Sequence, residues 1–366
     1  MWWVSWGFLM VTGVFILIFS KGRLAVVFRK RTMLAYPLLF AWLFLFIIAL
    51  RVLVFGVYYI PSSSMERTIL PGDIILGNKL VYGPVLPQTP YEVPWINLFT
   101  WLVEGSNANP ERKWWDYKRL RGSGKVSSGD IVLFQQNKNV MIKRCLGIPG
   151  DTIRIVEGMV YINDKLYAEP DDILYYSRVS VNNKKQALHA FDSLGISTNS
   201  FYSSNSDCDN ISGYLTAKET KKISTLTFIK DVTIEKKRPD TAWRVYPRHK
   251  AFAWSIDDYG PVVIPKKGMK VELTPENWIL YRKLINGYEN SGIKKKEKLF
   301  IKDEIEVTEF IFQQDYYFMM GDNRHDSRDS RYFGPIPEHD IICKATMILF
   351  SRDKKIHRFS RILKCL

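Results

Sequence analysis

Residues 2–19 and 33–50 carry no charged side chain and are built mostly from Leu, Phe, Ile, Val and Trp. Nothing else in the chain restricts its fold so severely. A helix of roughly 20 residues crosses the hydrocarbon core of a bilayer, and within lipid an isolated segment satisfies its backbone polar groups only as a helix. Two N-terminal transmembrane helices are therefore expected, over about 2–19 and 33–55, because apolar character resumes after Arg51 as far as Ile60. Pro37 falls near the start of the second, where a helix tolerates it better than in its middle. Between them, residues 21–31 hold Lys21, Arg23, Arg29, Lys30 and Arg31, and residues 1–60 contain no Asp or Glu. Basic loops stay on the cytoplasmic side, so the N-terminus and everything after residue 60 are expected on the outer side. A cleaved leader carries its positive charge before its apolar stretch. Here the charge follows, which favours an uncleaved anchor.

The 366-residue chain has a formal net charge of +15. A basic surplus suits nucleic acid or anionic lipid headgroups; two apolar segments flanking a basic loop point to membrane lipids and away from nucleic acid. Aromatic residues make up 14% of the chain, too many for a disordered protein. The four cysteines, Cys145, Cys208, Cys343 and Cys365, form no Cys-x-x-Cys pair, and no histidine stands where it would join one on zinc. Unpaired thiols are expected.

Beyond residue 60 the pattern is mainly β. Asp73–Leu76 and Asp130–Phe134 are short β-type runs, each introduced by Gly-Asp, and Tyr316–Met320 and Ala345–Phe350 read as further strands. Gly158–Tyr167 reads as a hairpin turning at Asn163-Asp164. Thr274-Pro275-Glu276 has the cap, first-position proline and acidic first turn of a helix, and Trp278, Tyr281, Ile285 and Tyr288 then share one face for core packing. Residues 171–240 are rich in Ser, Asn, Lys and Asp and show little sustained pattern, as in an elaboration with a small fold of its own. Lys294-Lys295-Lys296 reads as a solvated loop. In residues 84–118, Trp95, Phe99, Trp101, Trp114 and Trp115 crowd together among prolines. Such side chains suit a membrane interface or a domain core, and the sequence leaves both open.

Three separated segments carry the chemistry. Pro61-Ser62-Ser63-Ser64-Met65 puts serines just past the apolar stretch. Met141-Ile142-Lys143-Arg144 puts a lysine among apolar residues, shortly before Gly147-Ile148-Pro149-Gly150-Asp151. The third runs from Gly321 through Asp322, Asn323, Arg324, His325, Asp326, Ser327, Arg328, Asp329 and Ser330 to Arg331. Serine is a weak nucleophile unless a base takes its proton. An exposed lysine, with a pKa near ~10.4, is already protonated at neutral pH. Burial disfavours its charged form and lowers that value, and Met141, Ile142, Cys145 and Leu146 are consistent with such a setting.

In this order, behind two apolar anchors, the segments resemble the conserved boxes of bacterial type I signal peptidases, the membrane-bound Ser/Lys proteases that remove secretory signal peptides. The resemblance covers the anchors and residues 61–83, 127–170 and 315–351. It implies Ser64 as nucleophile, Lys143 as general base, Ser62 as a hydroxyl of the oxyanion hole and Ser327 as hydrogen-bond partner of the lysine. It further implies Asp329 as support with Arg331 as its ion partner, and a supporting place for Arg144. The implied architecture is a membrane anchor over 1–60, a catalytic β domain over 61–170 and 311–351, a large α+β insertion over 171–310 and a basic tail over 352–366. The implied substrates are exported pre-proteins, cut after an Ala-x-Ala-like site without a cofactor. The implied location is the bacterial cytoplasmic membrane, catalytic domain outward, near the secretion translocon. Two positions depart from the family pattern: Arg67 stands where proline is usual, and Cys343 where a small residue or glycine is usual.

Rival readings are a Ser/His hydrolase using His325, a Ser/Lys self-cleaving regulator, and a catalytically silent membrane-anchored binding module. No Gly-x-Ser-x-Gly elbow supports the first, the second would bring a DNA-binding domain, and all the proposed catalytic side chains are present against the third. The five histidines are scattered with no His-Glu-x-x-His, which argues against metal catalysis.

Overall fold

The computed structural model describes residues 32–137, 139–196, 201–202, 209–236, 245–297, 299–353 and 356–366. The first apolar segment, the basic loop 21–31 and Cys208 lie outside these residues. The chain divides into two compact units, one including Asn78–Gly124 and the helix before Gly56, the other formed by Val57–Gly77 and Lys125–Leu366.

In the first unit, α1 spans Thr32–Leu53. At 1.5 Å per residue it is about 33 Å long, enough to cross a membrane, and Tyr36–Leu53 is almost entirely unburied. Among the described residues it is the one helix of that length and character, so the second of the two expected spans is observed as a helix. Its last carbonyls are met by Lys79, whose Nζ donates to Arg51 O at 2.8 Å and Val52 O at 3.1 Å. A cation there also opposes the negative end of the helix dipole. The second helix of this unit, α2, spans Ile96–Glu104.

The second unit is mainly β. Its strands begin with β1 (Phe55–Tyr59), β2 (Asp73–Asn78), β3 (Ile131–Gln136) and β4 (Asn139–Gly147), followed by β5 (Thr152–Val156), β6 (Met159–Ile162) and β7 (Lys165–Leu166). The β6–β7 turn falls at Asn163 and Asp164, with φ of 52° and 62°. Two positive φ values in succession are what a tight hairpin turn requires, and Asn-Asp adopts them more readily than most pairs.

Residues 171–240 have more order than their composition suggests. Strands β8 (Leu174–Val181), β9 (Asn210–Thr216) and β10 (Ile229–Ile234) form a sheet in the order β10-β8-β9. Helices α3 (Lys184–Ser193) and α4 (Ala217–Ile223) accompany it. Val179, Val181, Phe191, Ile211, Leu215 and Ile223 belong to its own buried core. Each contributes roughly 1.5–3 kcal/mol on burial. Helix α4 opens with a complete capping box between Thr216 and Glu219, a Thr-x-x-Glu signal that is legible in sequence.

Strand β11 (Tyr259–Val263) pairs with β5, extending the β5–β7 sheet. Helix α5 (Pro275–Arg282) starts as its sequence predicts: Thr274 caps it, Pro275 is at the first turn, and Trp278 and Tyr281 are buried. The winding loosens over Lys283–Tyr288, which keeps Leu284 and Ile285 buried. Residues 246–312 thereby enter one core with Leu146, Ile153, Ile155, Val160, Tyr316 and Phe318. Lys294–Lys296 is a short exposed strand paired with Leu299–Ile301 rather than a loop.

Strands β12 (Tyr316–Met320), β13 (Ile336–Pro337) and β14 (Ile341–Asp353) complete the main sheet, in the order β1-β2-β14-β3-β4-β12-β13. The residues after β14 pack back: Arg361 donates to Asp73 at 2.6 Å.

Candidate active site

The main sheet sets the site. Lys143 lies on β4, opposite Val132 of β3, and Arg144 lies opposite Met320 at the end of β12. The chain leaves β12 at Gly321, so the third motif begins beside the second. Ser64 precedes Met65, which is fully buried in a core with Ile60, Ile69, Ile75, Leu133 and Ile142. That apolar anchor holds the serine turn to the sheet. Asn323 N–H donates to Ser64 O at 3.1 Å, and a Cβ on Gly321 would lie 2.5 Å from Ser64 O. Only glycine permits the two segments to approach so closely.

Lys143 Nζ donates to Ser64 Oγ, and both side chains are buried. Burial pushes the Lys143 ammonium down from 10.5 to about 8, even though Asp329 and Asp322 pull the other way. Ser62 Oγ lies 3.4 Å from Ser64 Oγ. Ser63 turns aside and donates to Asp326 at 2.5 Å. Ser62, Ser63, Ser64, Lys143, Asp326 and Ser327 line an open cleft of about 750 Å³. Ser327 Oγ is buried and faces Asp329, whose carboxyl it helps to hold low; among the described residues it makes no hydrogen bond to Lys143.

Charges below the cleft are paired. Arg144 grips Asp322 with two bonds, Nε to Oδ1 at 2.8 Å and Nη2 to Oδ2 at 2.6 Å. Arg331 does the same to Asp329, both at 2.9 Å, and also donates to Arg324 O at 2.6 Å. Burial alone would raise the Asp329 carboxyl, but Arg331 and the Gly321 N–H outweigh it and hold it below the ordinary value. Such doubly bonded Arg–carboxylate pairs are the strong form of the ionic hydrogen bond.

His325 has both ring nitrogens engaged away from the serine. Tyr176 N–H of β8 donates to Nδ1 at 3.1 Å, and Nε2 meets Asp257 at 2.9 Å. The histidine of the rival hydrolase reading therefore ties residues 171–260 to the site loop. Leu174 reinforces the tie, its N–H donating to Asp322 O and its carbonyl accepting from Arg324 N–H.

The two departures have structural counterparts. Arg67 has φ of 73°, a value that proline, locked near −65°, cannot reach. Its guanidinium bonds Glu219 of α4 at 2.7 Å. Cys343 is buried, and a Cβ on Gly77 would sit 2.4 Å from its sulfur; a glycine opposite makes room for the larger residue. Cys145 and Cys365 are free thiols. Asp322, Asp257, Glu219 and Thr68, whose hydroxyl donates to Asp322 at 2.6 Å, are site or near-site partners to which the sequence assigns no role. Only the Glu219 capping box has a local signal. Among the described residues no group of His, Cys, Asp and Glu is arranged to hold a metal ion.

A sequence model of the family described as "Signal peptidase, peptidase S26" matches residues 33–210 and 285–350. Signal peptidase I of Buchnera aphidicola subsp. Schizaphis graminum is 26% identical over 318 residues, 85% of this chain and 73% of that protein. Signal peptidase I of B. aphidicola subsp. Acyrthosiphon pisum is 27% identical over 344 residues, 92% of this chain and 79% of that protein. For Rickettsia prowazekii signal peptidase I the figures are 30% over 131 residues, 34% and 42%.

Proposed function

The chain belongs to the signal peptidase family, peptidase S26, whose type I members are serine endopeptidases, and on that premise we propose that Ser64 and Lys143 form its catalytic dyad. The observation that carries this reading is the buried hydrogen bond from Lys143 Nζ to Ser64 Oγ. A buried amine with its pKa lowered to about 8 is unprotonated in a useful fraction of molecules near neutrality.

Neutral Lys143 takes the Ser64 proton as Oγ attacks the scissile carbonyl. The oxyanion is met by the Ser64 N–H and the Ser62 hydroxyl, each such donor worth roughly 3–4 kcal/mol. The Lys143 ammonium then protonates the departing amine, leaving an ester on Ser64. Water, deprotonated by Lys143, releases the acyl group and restores the serine. The Ser327 hydroxyl, buried beside Asp329, steadies the amine between these steps. Arg144–Asp322 and Asp329–Arg331 keep the supporting charges in place. The substrates are signal peptides of exported pre-proteins, cut after small residues in an Ala-x-Ala-like pattern.

The same reading takes α1 as a transmembrane anchor, with residues 2–19 as a second span and the catalytic domain on the outer side of the bacterial cytoplasmic membrane. The division into anchor 1–60, catalytic domain 61–170 and 311–351, insertion 171–310 and tail 352–366 accompanies it.

The test is cleavage of a pre-protein by purified full chain in detergent, the cut being mapped by mass spectrometry. Ser64→Ala and Lys143→Ala are each expected to lose on the order of 10⁴-fold or more in kcat, and the double variant little further, because the pair acts as a unit. Lys143→Arg fails as well, since guanidinium stays protonated. His325→Ala retains catalysis. Activity rises with pH through about 8 as Lys143 loses its proton. An inactive His325→Ala beside an active Lys143→Ala overturns the mechanism.

A further inference from the structure

Helix α2 has no buried residue. Leu98, Phe99, Trp101, Leu102 and Val103 are 56–81% exposed. Nine residues are too few for a helix to persist in water without packing, and so much adjacent apolar surface is rarely left to solvent. The surrounding chain is nonetheless well built. Residues 84–88 and 114–120 run antiparallel as a stem: Leu86 N–H donates to Lys118 O at 2.9 Å, Leu120 N–H to Pro84 O at 2.9 Å and Trp114 N–H to Gln88 O at 2.9 Å. Tyr91 Oη, in the turn that follows the first stem segment, donates to Glu104 at 2.5 Å and pins the end of the helix. The helix is thus displayed at the tip of an ordered excursion.

Three further observations say what covers it. The polar residues of α2, Asn97, Thr100 and Glu104, fall three and four positions apart, a narrow stripe on an otherwise apolar helix. The returning segment exposes Arg112, Lys113, Lys118 and Arg121, the charge that anionic headgroups attract. Trp95, at the start of α2, lies against Phe44 of α1, with ring centroids 6.3 Å apart. Phe44 is seven residues before Arg51, about 10 Å along the helix. That is the depth to which helices lying in a membrane surface sink, roughly 5–10 Å.

We propose that α2 and its flanking tryptophans insert into the outer leaflet of the bilayer beside α1, at the boundary of headgroups and acyl chains, as a second lipid contact. The proposal rests on the reading of α1 as a membrane span. Lipid covers the apolar faces of both helices, and the cations of residues 112–121 lie among the phosphates.

The test uses the full chain with Cys208→Ser and Cys365→Ser, which leaves only the buried Cys145 and Cys343. A nitrobenzoxadiazole label is placed at Phe99→Cys or, separately, at Ile47→Cys on α1. Each protein is reconstituted into phosphatidylcholine vesicles containing a minority of phosphatidylglycerol, and retained pre-protein cleavage checks its fold. The expected result is blue-shifted emission from both labels, quenched by lipids brominated on their acyl chains and shielded from aqueous iodide. A Phe99→Cys label with water-like emission and open to iodide, beside a lipid-quenched Ile47→Cys label, overturns the proposal and leaves the anchor standing. Both labels in water overturn the anchor reading and this proposal with it.

Discussion

The nucleophile region and α2 invert the usual rule of protein surfaces in opposite ways. Around Ser64 the chain buries Lys143, Arg144, Asp322, Arg324, Asp329 and Arg331. Along α2 it exposes Leu98, Phe99, Trp101, Leu102 and Val103. The first inversion is resolved inside the protein. Asp322 and Asp329 each hold a bidentate arginine and Arg324 meets Glu169, so these charges are compensated. Lys143 is the instructive member, because what it meets is a neutral hydroxyl and its charge is correspondingly disfavoured. The second inversion has no internal resolution among the described residues; a non-aqueous neighbour resolves it. Buried charge here signals chemistry, and exposed apolar surface signals a phase boundary.

Breaking the first region should therefore cost far more than altering the second. Asp329→Ala strands the Arg331 guanidinium and is expected to destabilise the folded protein by roughly 3–5 kcal/mol, read by urea unfolding in detergent. Adding Arg331→Met should recover much of that loss. If Asp329→Ala alone is nearly neutral, the pairing is not what makes the buried charge tolerable.

Lys143→Met should stabilise the protein while abolishing activity, and the gain should depend on pH. The folded-state pKa lies below the ordinary value, about 8 against 10.5. Below pH 8 folded and unfolded chains both carry the proton, and the native protein bears the whole penalty of a buried ammonium. Between 8 and 10.5 the unfolded chain binds more protons, so native stability rises with pH. The advantage of Lys143→Met is on the order of 3 kcal/mol below pH 8 and vanishes above 10.5. A gain that is flat with pH would show that the lysine carries no such penalty.

Arg67→Pro, a change toward the residue usual in the family, should be harmful here. Position 67 has φ of 73°, and forcing the turn elsewhere is expected to cost roughly 1–3 kcal/mol. Arg67→Ala removes only a partly exposed ion pair with Glu219, worth less than about 1 kcal/mol. Equal losses from the two changes would mean that the ion pair, rather than the backbone, governs this turn.

The smallest effect belongs to α2. Leu98→Asp with Phe99→Asp should alter urea stability in detergent by less than about 0.5 kcal/mol, because these side chains are mostly exposed. A large loss would show that α2 belongs to a core after all.

The sequence by itself determined the local features. Apolar length made Thr32–Leu53 a helix. Asn163-Asp164 made a hairpin turn, Thr274-Pro275 started a helix, and the short β-type runs introduced by Gly-Asp made strands. Each depends on neighbours within a few positions, so local propensity suffices. The order of the serine, lysine and Gly-Asp-Asn-Arg segments was equally legible, and with it the candidate residues. Their meeting was not. Lys143 and Ser64 are separated by 79 positions and Arg144 and Asp322 by 178, and only the sheet order brings them together. A small fold within 171–240 was expected, but its strands and helices were not legible, because its core is a few alternating positions among many polar ones. His325 looked like a base and is a tie to Tyr176 and Asp257, since a ring nitrogen's role is set by what the fold places beside it. The aromatic run 95–115 was compatible with a core or an interface; the tertiary structure left it exposed, because burial depends on the whole chain's packing and not on the hydrophobicity of one segment.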